Sequence, residues 1–100
     1  MEEQILDYLI SKYPEEGCGL IINYKGKMRW IPCTNVSDNP LHSFSIDPKD
    51  FVKASLLGNI LFVVHSHPDH PAKASPADRR NSEYQGIPYL IYSIPSPGRS

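Results

Sequence analysis

The chain has 100 residues, 40% apolar and 21% charged, with a formal charge of −1, which is the balance of one small soluble domain around a single modest core. It lacks the basic excess of a nucleic-acid binder and any apolar run long enough to span a bilayer, and Met1 opens onto acidic residues instead of the cationic start of a signal peptide. A cytoplasmic product is expected, with no nucleic-acid partner and no membrane span.

Ile5, Leu6, Leu9 and Ile10 recur at helical spacing, so Glu2 to Lys12 reads as an amphipathic helix that Pro14 ends. Cys18 to Tyr24 and Lys27 to Cys33 read as strands joined by a Lys25-Gly26 turn, which makes a hairpin. The two cysteines, Cys18 and Cys33, form no C-x-x-C pair and read as reduced, buried thiols. Thr34 to Ser43 is rich in Asn, Ser, Asp and Pro and reads as a loop, followed by a short alternating strand at Phe44 and Ile46. Asp47 caps a helix with Pro48 at its first position, and Gly58 closes it. Ile60 to His65 is almost continuously apolar, as a central strand covered on both faces would be.

Ser75-Pro76-Ala77-Asp78 repeats the capping pattern and opens a helix that ends near Gly86. The last strand is expected from about Ile87 to Ile94, with residues 95–100 a disordered polar tail. Helices interleaved with strands around a covered central strand predict an α/β domain over residues 1–94, in two or three layers, with a mixed sheet. The hairpin excludes a wholly parallel one.

The chemistry gathers in His65 to Asp78, which reads HSHPDHPAKASPAD. Two histidines one residue apart at a strand end project to the same side, and Asp78 stands in the first turn of the following helix. Two imidazoles and a carboxylate are a ligand set that suits zinc, which keeps a water as fourth ligand when catalytic. Ser75 and Asp78 also make a sensible N-cap and N3 pair with no catalysis involved. The two roles are compatible, because a capped helix start is a rigid place from which to present a ligand.

His65, His67, Asp69 and His70 also spell H-x-H-x-D-H, the pattern of two-metal hydrolases resembling metallo-β-lactamases. No histidine follows His70 and the chain is short for such a fold. A zinc nucleobase deaminase fits less well, since H-x-E and P-C-x-x-C are both missing. An amide hydrolase of this kind needs a base. Glu16 lies where the first helix gives way to the first strand, and Gly17 and Gly19 beside it would let backbone approach the site. On position alone Glu16 reads more readily as a charged loop residue than as a base, with Glu15 a near alternative. Cys18 reads as packing, not as a nucleophile, while His42, Asp69 and His70 read as loop residues near the site. Arg79 and Arg80 are expected to face solvent or a neighbouring carboxylate.

H-x-H-P at His65 to Pro68, then S-x-x-D at Ser75 and Asp78, with E-G-C-G from Glu16 upstream, resembles the JAMM (MPN-plus) family of zinc metallopeptidases. Within it, YPEEGCGLI, IPCTNVSDNP, FSIDP and SPADRRNSEYQGIPYLI are similar to the N-terminal peptidase-like domain of the phage tail assembly K proteins. The resemblance implies a three-layer α/β/α, cytidine-deaminase-like fold with a mixed, mostly antiparallel sheet. It also implies one zinc ion held by His65, His67 and Asp78, Glu16 as general base and acid, and Ser75 holding the carbonyl oxyanion.

By analogy it further implies a role in tail assembly or cell-wall processing. Two alternatives stand beside the peptidase: a zinc-stabilised, non-catalytic assembly module of a phage tail, and a peptidase that trims a ubiquitin-like or sulfur-carrier protein.

Overall fold

The computed structural model describes residues 1–96. Helix α1 (Glu2–Lys12) is followed by strands β1 (Cys18–Tyr24) and β2 (Lys27–Cys33), helix α2 (Pro48–Leu57), strand β3 (Asn59–Pro68), helix α3 (Pro76–Gln85) and strand β4 (Tyr89–Ile94). The strands form one sheet in the order β2-β1-β3-β4. β1 is antiparallel to both β2 and β3, while β3 and β4 are parallel. The sheet is therefore mixed and mostly antiparallel, as expected. The hairpin turn places Lys25 at φ 51° and Gly26 at φ 84°, the paired left-handed geometry that matches strand twist in a two-residue loop.

Alternation along the strands separates two apolar layers. On one face Ile5 and Leu9 of α1 pack with Ile21, Trp30, Val64 and Ile94. On the other, Ala54 of α2 packs with Cys18, Leu20, Ile22, Cys33 and Val63. Helices thus cover both faces, giving the three-layer α/β/α arrangement. β3 feeds both layers through Val63 and Val64 and is the covered central strand that its composition predicted.

Several expectations are corrected. β3 continues to Pro68, three residues past His65, because the polar tip pairs with β4 through Ser66↔Tyr92, His67↔Ser93 and Pro68↔Ile94. β4 begins at Tyr89, not Ile87. Phe44 and Ile46 form no strand; a single Asn35↔Ile46 bridge stands in its place. Gly58 closes α2 as expected, and does so in extended backbone, φ 179°. Glycine is needed because a Cβ would sit 1.9 Å from the Asn23 carbonyl oxygen. Gly17 and Gly19 likewise serve packing: a Cβ would meet Leu9 Cδ2 at 2.8 Å and the Trp30 ring at 2.2 Å respectively. Residues 97–100 of the expected tail lie outside the described residues, and the Ser96 N–H donates to Asp69 Oδ1 at 2.9 Å. No helix among the described residues is long and apolar enough to cross a membrane.

Candidate metal centre

His65 and His67 share the face of β3 that carries Val63, and α3 lies over that face. Asp78 is the one buried residue of α3, so this helix docks through a carboxylate and not through an apolar stripe. Ser75 accepts from the Asp78 N–H at 3.1 Å, while the Asp78 Oδ2 accepts from the Ser75 N–H at 2.9 Å. This reciprocal capping box holds the carboxylate rigidly. Asp78 Oδ1 lies 3.1 Å from His65 Nε2, and Asp78 Oδ2 lies 3.3 Å from His67 Nε2. Burial raises the Asp78 pKa, but the Ser75 N–H, the His65 imidazole, the Ser75 hydroxyl and His67 together outweigh it and hold the carboxyl below its ordinary value.

The donor set fits a metal ion. His65 is 1% exposed, and neither of its ring nitrogens makes a hydrogen bond; the neighbouring carboxylates are close but off the hydrogen-bonding angle. A buried imidazole without a partner, beside a buried carboxylate, is costly unless a cation joins them. His67 Nδ1 lies 2.9 Å from the Pro71 carbonyl oxygen, which can only accept, so Nδ1 carries the proton and Nε2 presents its lone pair. This is the outer-sphere arrangement that orients a ligating histidine. The imidazole-to-carboxylate separations are close to the roughly 3.3 Å edge of a zinc tetrahedron with bonds of about 2.0–2.1 Å. Among the described residues, His65, His67 and Asp78 form a group able to hold a metal ion.

Glu16 is 8% exposed and its Oε1 lies 3.4 Å from His65 Nδ1, so Glu16 and Asp78 flank one imidazole. It lines a cleft of about 580 Å³ together with His67, Ser75 and Asp78. Its backbone is tied on both sides. The Glu16 N–H donates to the Pro40 carbonyl at 2.8 Å, and Asn35 Nδ2 donates to the Glu16 carbonyl at 2.9 Å. Next to it, the Gly17 N–H donates to Ser66 Oγ on β3 at 2.8 Å. Glu15 is exposed and is absent from the cleft lining, so of the two neighbouring glutamates it is Glu16 that faces the cleft.

The roles of three residues around the site escaped the sequence reading. Asn35 also donates to the Ser43 carbonyl at 3.0 Å and accepts from the Ser37 and Ser45 N–H groups at 3.0 Å. One side chain thereby joins the Glu16 segment to the loop that walls the cleft. Phe44 stacks on the His65 ring at 4.2 Å, and Tyr89 meets the same ring edge-on at 5.8 Å. The asparagine lay in plain view in a turn-rich stretch, but nothing in its spacing pointed to Glu16.

The two-metal alternative loses its ligands. Asp69 takes the Tyr13 hydroxyl on Oδ2, and its N–H donates to the Ile94 carbonyl at 2.8 Å. It braces the loop that carries Pro71 and does not join the metal-binding group. His70 and His42 line the cleft without joining that group. Cys18 and Cys33 are buried, free thiols, and burial pushes the pKa of each up to about 12. Neither is a nucleophile at neutral pH.

Similarity to known proteins agrees with this geometry. The family described as prokaryotic homologs of the JAB domain (Prok-JAB) matches residues 1–99. The tail tip assembly protein K of Escherichia phage N15 is 31% identical over 93 residues, covering 93% of this chain and 38% of the phage protein. A probable TtuB-protein conjugate cleaving protease of Thermus thermophilus is 33% identical over 95 residues, covering 90% of this chain and 64% of that protein. The chain thus spans less than two thirds of either relative. The solution structure of protein DSY2949 from Desulfitobacterium hafniense superposes with a TM-score of 0.75 at 29% identity, over 98% of this chain and 73% of that one. The chain belongs to the Prok-JAB family, the prokaryotic homologs of the JAB domain.

Proposed function

We propose that residues 1–94 form a single zinc-dependent peptidase or isopeptidase domain, with His65, His67 and Asp78 as ligands, Glu16 as general base and acid, and Ser75 as oxyanion donor. The observation that carries this reading is the convergence of two imidazoles and a capped carboxylate on one point of a cleft, with a buried glutamate against the same imidazole. A zinc ion held there supplies Lewis acidity, lowering the pKa of a water from about 15.7 toward about 7 and polarising a carbonyl.

The protein's own groups do the rest. Glu16, held at its backbone by Pro40 and Asn35, takes the proton of the attacking water and returns it to the leaving nitrogen. Ser75 Oγ accepts from the Asp78 N–H, and its own hydrogen, which otherwise favours the Asp78 carboxylate, can turn to the substrate oxygen as charge develops. One such donor is worth about 2.7–4 kcal/mol. Phe44 and Tyr89 hold the His65 ring in place and keep water from its faces.

The name of the Thermus relative, a probable TtuB-protein conjugate cleaving protease, supports an amide or isopeptide bond between proteins as the target, and a ubiquitin-like or sulfur-carrier protein is the partner that the sequence resemblance suggests. The likeness to the phage tail protein supports a second reading, a zinc-stabilised assembly module that binds tail proteins without turnover. A cleavage assay on peptide and isopeptide-linked substrates separates them. Turnover that stops with chelator and returns with zinc is expected. A zinc-loaded chain that binds a tail protein but cleaves no substrate would replace the peptidase with the assembly module.

A further inference from the structure

We infer that the substrate segment lying against the first turn of α3 is acidic, an inference that rests on the peptidase reading above. Lys73, Arg79 and Arg80 are exposed and line one shallow depression of about 490 Å³ with Glu83. The depression shares Lys73, Ala74 and Pro76 with the cleft of the metal centre. A chain leaving the cleft on this side therefore passes directly over three cations.

Among the described residues, none of these three cations lies within ion-pair distance of a carboxylate. Arg79 stands at the end of the first turn of α3, where the helix dipole favours anions and disfavours cations, and Arg80 follows it. Arg79 precedes Glu83 by four residues, the weaker order for a helical ion pair, and the pair is not formed. The whole chain has a formal charge of −1, so the excess is local to the cleft mouth. Leu41 to Phe44, which also line the cleft, include no acidic residue, and His42 and His70 in the same lining offer ring nitrogens. Guanidinium groups bind carboxylates through two parallel hydrogen bonds, so glutamate or aspartate side chains flanking the scissile bond are the groups this rim recognises.

The test is fluorescence anisotropy on the zinc-loaded Glu16→Gln chain, which reads binding without turnover, so an absence of hydrolysis leaves it interpretable. The probes are labelled peptides of alternating glycine with glutamate, serine or lysine, and a short oligothymidylate. The glutamate peptide is expected to bind at least roughly tenfold tighter than the serine peptide, and more weakly as salt rises. Lys73→Glu, Arg79→Glu and Arg80→Glu together should abolish that preference while thermal unfolding and zinc content stay unchanged; Arg79→Lys with Arg80→Lys, which keeps the charge and loses the paired hydrogen bonds, should retain it only in part. Equal binding of glutamate and serine peptides overturns the inference, as does tighter binding of the oligothymidylate. So does binding that charge reversal leaves intact and chelator removes, because the carboxylates would then be ligating the metal.

Discussion

Glu16→Gln is expected to bind zinc as tightly as the parent chain and to lose about 10²–10⁴-fold in turnover. Glutamine keeps the size and the backbone hydrogen bonds of Glu16, whose amide and carbonyl groups are held by Pro40 and Asn35. It removes only the ability to accept and return a proton. Glu16 is not one of the group able to hold a metal, so metal content should not move. Zinc titration and cleavage kinetics on one preparation check both halves. Retained turnover would dispose of the base assignment, whereas lost zinc would make Glu16 a ligand.

Asp78→Asn is expected to show two losses with separate origins. As an outer-sphere change alone costs about 10–100-fold in metal affinity, loss of a charged ligand should cost at least about a hundredfold. In metal-free protein the same substitution should lower stability near neutral pH by about 1–2 kcal/mol, because the Ser75 N–H and both histidines now face a neutral amide. The pH dependence has a definite sign. The folded Asp78 carboxyl is held below its ordinary value, so its contribution is present above the unfolded pKa of about 3.9 and is lost as pH falls through the folded one. Urea unfolding of both chelated proteins should therefore show a gap near neutrality that closes in acid. A gap that is constant with pH would mean the cap is indifferent to charge.

Much of the architecture could be read from local signals. α1, β1 and β2 fall on the residues that periodicity, Pro14 and the Lys25-Gly26 turn marked out, because each of those signals acts within a few positions. The starts of α2 and α3 followed from Asp47 and Ser75, whose side chains accept from Lys49 and Asp78 backbone N–H groups. The site was legible for the same reason: H-x-H at a strand tip and S-x-x-D at a helix start are short patterns with direct geometric meaning. What could not be read depends on contacts between distant segments. The polar tip of β3 is strand only because β4 pairs with it. Asn35 and Phe44 matter through Glu16 and His65, which lie 19 and 21 positions away in sequence. Gly17, Gly19 and Gly58 are explained by what stands opposite them, which no local pattern records.

Metal analysis of the purified chain puts the ligand geometry to the most direct test. Elemental analysis after dialysis against zinc should find one zinc ion per chain in the parent protein and none in His67→Ala, with both proteins showing the same circular dichroism spectrum. Two ions per chain, or one that survives in His67→Ala, would contradict the convergence of His65, His67 and Asp78 on a single zinc.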